Sequence, residues 1–254
     1  LQTSPAKRRN GREWALAVIF TILAMQGTPN FFLVAGNLHQ RGEAGHRCTW
    51  RVDFTRAGAT IRRNMAEVDT MADAVVVTDI DPVTLEIVRG KLLAAVDEMG
   101  IVIARTSMSP VIYEVLDFAC GILDTKAQLI VQTNGITLFT GTFSFQLQAI
   151  QKKFGDDVRP GDVYMTNDPF EGGTHTCDVA LIRPLFNGGT LRAFAIAVAH
   201  WSEVGGSVAG SIAPNATEIY QEGIRFPGIR VCRDDELISD VVDLIRENVR
   251  LPTM

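Results

Sequence analysis

Three side chains in this sequence have the types and spacing of a metal-ligand set: His175, Asp178 and His200. Imidazole and carboxylate suit Zn, Mn or Fe, and three protein ligands leave a position open for water or substrate. A bound divalent ion lowers the pKa of its water towards about 7 and polarises a carbonyl. Plainer readings exist for each residue. A histidine beside Gly172-Gly173 also suits a turn, and one at a strand end also suits a core hydrogen bond. Two carboxylates are candidate catalytic groups, Asp117 at a strand entry and Glu203 just past His200. A solvated turn acid is the plainer reading of Asp117. Asn167, Asp168 and Glu203 could orient the histidines from behind or simply cap the loop. Cys177, between two ligand candidates, is expected to point away and pack.

The elements that must position these residues are legible nearby. Asn167–Asp178 is a polar, glycine-rich stretch between two apolar runs, Val163–Met165 and Val179–Phe186. It reads as a loop between buried strands, where chemistry tends to sit. Val179–Phe186 and Leu191–Ala199 flank Asn187-Gly188-Gly189, the clearest hairpin signal in the chain. A hairpin sets the start of its first strand beside the end of its second, so Asp178 and His200 should share one rim. This geometry sets the metal reading level with the plainer ones. His-x-x-Asp on a straight strand would put the two side chains on opposite faces, so the Gly172-Gly173 turn is expected to let them converge. The glycine pair lacks the following helix and Lys of a phosphate loop.

Asp81-Pro82 opens a helix to about Ala104, with Leu85, Val88, Leu92, Ala95, Val96, Met99 and Val102 as its packing face. Phe118–Leu123 and Leu129–Val131 form a second hairpin around Asp124–Gln128. Asn134-Gly135 marks a turn, Ile136–Phe139 follows, and Gly141 is a break before a helix carrying Phe143, Leu147, Ile150 and Phe154. Arg159–Asp162 is a turn, Trp201–Gln221 a long loop, Ile224–Val231 a strand and Ser239–Val249 a short helix. The fold class expected is α+β, with hairpins packed against helices.

The chain has 254 residues, 46% hydrophobic and 21% charged, an ordinary globular composition with no case for wholesale disorder. Its net charge of −5 gives no reason to expect nucleic acid or a membrane as partner. That average conceals a break. Residues 1–64 hold ten basic and three acidic residues, a net of +7, which leaves 14 basic and 26 acidic residues beyond them. A basic head before the short apolar run Trp14–Met25 resembles a secretory signal, but the run is too short for a span. Residues 1–64 are read as upstream or mis-translated sequence, with the start at Met65 or Met71. Four scattered cysteines form no CxxC pair, and free thiols in the cytoplasm are expected.

Several motifs in order resemble the hydantoinase B/oxoprolinase family: Asp81-Pro-Val-Thr-Leu-Glu86, Asp117-Phe-Ala-Cys120, Arg159-Pro-Gly-Asp-Val163, Asn167 through His175, and Ala216-Thr-Glu-Ile-Tyr-Gln-Glu-Gly223. The likeness covers about Asp79 to Pro252, and residues 72–254 are read as a partial domain of that family. The resemblance implies the metal-dependent subunit of an ATP-dependent cyclic-amide hydrolase acting on a hydantoin, 5-oxoproline or other lactam. Its implied partner is a hydantoinase A-type subunit that uses the ATP, in a hetero-oligomer. The alternatives it leaves are a subunit of an ATP-dependent ketone carboxylase, or an inactive fragment that only binds its partner. The resemblance carries the metal ligands onto His175, Asp178 and His200. It departs at Gly135–Phe139, where many relatives carry histidines.

Overall fold

The computed structural model describes residues 81–133 and 135–252. The expectations for residues 1–64, for a start at Met65 or Met71, and for Asn134 lie outside them. In chain order the elements are α1 (Pro82–Thr106), α2 (Pro110–Tyr113), β1 (Phe118–Asp124), β2 (Leu129–Gln132), α3 (Thr137–Phe154), β3 (Val163–Thr166), β4 (Asp178–Asn187), β5 (Thr190–His200), β6 (Ile229–Arg233), β7 (Glu236–Leu237) and α4 (Ser239–Asn248). The strands make one sheet in the order β2-β1-β5-β4-β3-β6-β7, with each neighbouring pair antiparallel. The α+β expectation holds.

The β4–β5 hairpin is the centre of that sheet. Long apolar runs keep most of both strands buried, and the turn falls at Gly188-Gly189, both at positive φ. Even-numbered residues of both strands face α3. Ala180, Ile182, Phe194, Ile196 and Val198 pack there with Phe139, Phe143, Leu147 and Ile150. Odd-numbered residues face the other way and meet two helices. Leu185, Ala195 and Ala197 join Val96, Met99 and Ile103 of α1, while Val179 joins Ile245 of α4. An apolar groove remains between α1 and α4, lined in part by Leu181, Ala199, Val241 and Ile245.

Three expectations change. α3 runs unbroken through Gly141, starting at Thr137. An added Cβ at Gly141 would meet nothing within 4 Å, so the glycine sits on an open face and weakens the helix without ending it. The strand expected over 224–231 begins at Ile229, because Pro227 has no N–H to donate and Gly228 takes positive φ. Helix α1 extends to Thr106, and its first two turns stay largely exposed. Val96, Met99, Gly100 and Ile103 are buried, whereas Leu85 stays 55% exposed. At its start Asp81 accepts from the Thr84 amide at 3.1 Å, the expected N-cap. Among the described residues no helix is long and apolar enough to cross a membrane.

Candidate metal centre

Asp178 opens β4 and His200 closes β5, and the two are register partners. The Asp178 amide donates to His175 O and the His200 amide to Asp117 O, so the pair exchanges no backbone bonds of its own. Such pairs bring their side chains closest. His200 Nδ1 lies 2.8 Å from Asp178 Oδ1. His175 Nε2 lies 3.1 Å from Asp178 Oδ2. The two imidazole centroids are 5.0 Å apart.

The convergence has a different cause from the one expected. His175 and Asp178 meet through their own turn, closed by the 3.0 Å bond from the Asp178 amide to His175 O. The glycine pair does something else. Gly172, at φ +96, brings the loop so near α3 that an added Cβ would lie 2.5 Å from Phe145 Cβ, and one at Gly173 would lie 2.9 Å from Asp168 O. The glycines seat the loop, and the turn aims the ligands.

The charges are arranged around one buried carboxylate. Asp178 has a side chain only 2% exposed, against 12% for His200 and 37% for His175. Burial raises the pKa of Asp178, but bonds from His175, His200 and Thr174 outweigh it and hold the group at about 2. Thr174 donates its hydroxyl to Asp178 Oδ2. Hydrogen bonding to Asp178 pushes His175 up to about 10, against the opposing effect of its partial burial. The Cys177 amide points at His175 Nδ1 from 3.3 Å, so Nε2 is the nitrogen that faces the carboxylate.

The donor set fits a divalent ion. Two ligand atoms held at about 2.0–2.2 Å from one ion stand roughly 3–3.5 Å apart. The two His–Asp separations fall at or just below that range, and the ligand atoms of all three residues lie within 4.8 Å of one another. His175 supplies the open side.

The other candidates separate. Asp117 directly precedes β1, where its carbonyl fixes the His200 backbone at 3.0 Å, and its carboxylate is not within the ligand group. The Glu203 carboxylate accepts from the Gly205 amide (2.7 Å) and from the Arg250 amide and guanidinium (both 2.6 Å). Its hydrogen bonds bypass both histidines. In this position Glu203 ties the loop after β5 to Arg250 beyond α4. Asn167 is fully buried and stitches three backbone sites: it donates to Thr176 O (2.5 Å) and Ile224 O (2.9 Å) and accepts from the Phe226 amide (2.6 Å). Asp168 caps the short 3₁₀ turn Pro169–Glu171 through the Phe170 amide. Both take the loop-capping role. Cys177 is buried and donates to Ser211 O, as expected of a packing residue. Thr174 was missed in the sequence. Its signal was a hydroxyl four residues before an acid at a tight turn.

Comparison with known proteins gives the family and the fold. A family model described as hydantoinase B/oxoprolinase matches residues 81–254. Caprolactamase subunit beta of Pseudomonas jessenii is 32% identical over 67% of this chain and 29% of its own. The solved ATP-dependent caprolactamase of that organism superposes with a TM-score of 0.63 over 67% of this chain and 30% of that one. The 5-oxoprolinase of Saccharomyces cerevisiae is 34% identical over 64% of this chain and 13% of its own. An acetone carboxylase, at 20% identity and a TM-score of 0.65 over 68% of this chain and 23% of that one, shares the fold. The chain thus spans less than a third of the length of these relatives.

Proposed function

This chain belongs to the hydantoinase B/oxoprolinase family, and we propose that it forms the metal-dependent part of an ATP-dependent cyclic-amide hydrolase. The observation that carries the reading is the His175–Asp178–His200 set, two imidazoles and a carboxylate converging on a sheet rim with one exposed side. The relatives support the substrate class through a caprolactamase subunit and a 5-oxoprolinase. We assign ATP use to a hydantoinase A-type partner, and the pair forms a hetero-oligomer. The substrates in view are hydantoin, 5-oxoproline or other lactams.

Each residue has a distinct task. A divalent metal held by the three residues would supply Lewis acidity and hydroxide at neutral pH. Asp178 presents its charge to both imidazoles, with Thr174 fixing the orientation of its Oδ2. His200, mostly buried and tied through its amide to Asp117, holds the inner position. His175 lies on the solvent side, where a ring would approach. Asp117 is the carboxylate we assign to proton handling, since it enters the sheet beside His200.

Metal analysis of the purified protein is the direct test. Stoichiometric Mn, Zn or Fe is expected, lost in His175→Ala and His200→Ala. With the partner and ATP present, ring opening of a lactam is expected to disappear in the same variants. Metal-free protein with full activity would end this reading.

A further inference from the structure

Among the described residues, Gln146 is the buried polar side chain with no partner on any of its polar atoms. It is fully buried, and neither Oε1 nor Nε2 makes a hydrogen bond. Buried carboxamides in native folds are almost always satisfied, by protein, water or ligand, so both atoms are open to a partner from outside the described residues.

Its place follows from how α3 crosses the sheet. The Phe143 ring sits where a Cβ on Gly121 would be, 2.8 Å away, and the Phe154 ring lies 4.4 Å from that of Tyr164. Gly121, Ile196, Ile182 and Tyr164 are successive register partners on β1, β5, β4 and β3. The helix therefore lies across the strands at one level. Its one flank faces the turn end of β1, where Gln151 Nε2 donates to Thr125 O at 2.9 Å. Its other flank faces the rim, where Lys153 Nζ donates to Pro227 O at 2.9 Å. Gln146 lies two helical turns before Lys153 and so shares that flank. Its backbone nitrogen is 3.0 Å from where a Cβ on Gly172 would be, in the loop that leads to Thr174 and His175. Gln146 thus stands on the same sheet face as Asp178 and His200, one pleat in from the rim.

Resting on the cyclic-amide reading above, we propose that Gln146 selects a ring amide at this site. A carboxamide presents one acceptor and one donor side by side. The amide of a small ring is locked cis and presents its own N–H and C=O side by side, so the two match in a pair of hydrogen bonds. A ketone, or a ring amide alkylated on nitrogen, leaves Oε1 buried and unpaired. Sites built to hydrogen-bond a substrate group reject analogues lacking it for this reason.

The test uses the whole chain loaded with Zn²⁺ and three probes of equal ring size: 2-pyrrolidone, N-methyl-2-pyrrolidone and cyclopentanone. Ligand-observed NMR is expected to show 2-pyrrolidone binding at least about tenfold more tightly than the other two. Gln146→Leu is expected to erase that preference, leave Zn²⁺ affinity unchanged, and raise the melting temperature of the ligand-free protein by removing an unpaired buried amide. Should Gln146→Leu fail to fold, Gln146→Met gives the same readout. Equal binding of the three rings, no binding of 2-pyrrolidone, or a preference that survives the substitution overturns the proposal. A native chain that binds no Zn²⁺ overturns the metal reading beneath it instead.

Discussion

Two of the chain's three Gly-Gly dipeptides lie in turns that serve unlike ends. Gly188-Gly189 closes the central hairpin at the edge remote from the ligands. Both residues take positive φ, and an added Cβ at either would meet nothing within 4 Å. Gly172-Gly173 lies in the ligand loop. There the same added atoms would collide with Phe145 and with the Asp168 carbonyl. The hairpin turn needs glycine for backbone conformation alone, whereas the ligand loop needs it for closeness as well. The first constraint is local and tolerant. The second couples the loop to α3, and through α3 to the sheet face that holds Asp178 and His200.

The sharpest way to break this contrast is Gly172→Ala. It combines a left-handed backbone cost of about 1–2 kcal/mol with overpacking of about 1–3 kcal/mol. Denaturant unfolding should show a loss of roughly 3–4 kcal/mol, the middle of that summed range, accompanied by weakened metal binding. A variant as stable as the parent would mean that the loop is not seated on α3.

Metal binding should carry a pH signature confined to the ligand loop. In the metal-free fold His175 keeps its proton up to about 10, so an incoming ion must displace it. Apparent affinity should rise roughly tenfold per pH unit from about pH 7 towards 10, one proton being released per ion. The contribution of His175 to apo stability has the opposite sign. It is fully present below its ordinary value of 6.5 and lost as pH rises through about 10. Calorimetry in buffers of different ionisation enthalpy counts the proton, and a pH-independent affinity sinks the assignment of His175 as a ligand.

The smallest effect belongs to the hairpin turn. Gly188→Ala should cost about 1 kcal/mol, and Gly188→Asn less, since Asn tolerates the left-handed region. Neither should alter metal affinity. A thermal melt and a metal titration on the same samples suffice to check both.

What was legible in the sequence was local. Asn187-Gly188-Gly189 announced the hairpin, and the hairpin alone sets Asp178 beside His200. Asp81-Pro82 announced the start of α1 through capping chemistry that spans only a few residues. What escaped depends on distant partners. Helix α3 absorbs Gly141 because its packing outweighs one weak residue, and that packing involves strands before and after it. The segment before β6, besides its local Pro227-Gly228 break, is held at Phe226 by Asn167 from 59 residues away. Glu203 looked like a neighbour of His200 by number, yet its charge is answered by Arg250, 47 residues on. Gln146 had a readable signal, a polar side chain on the stripe of Phe139, Phe143, Leu147 and Ile150, but its meaning needed the sheet beneath.

The Asn167 clamp has a consequence for the order in which the protein assembles. One carboxamide holds Thr176, Ile224 and Phe226, and the last two lie 57 and 59 residues downstream. Closing loops of that length carries an entropy cost that must be met before the contacts can repay it. The ligand loop is therefore expected to be ordered late on the folding pathway, after the β4–β5 hairpin has formed. An ion that recognises only the finished loop would slow unfolding far more than it hastens folding. For this protein, metal would act as a lock on the completed structure, with little part in nucleating it.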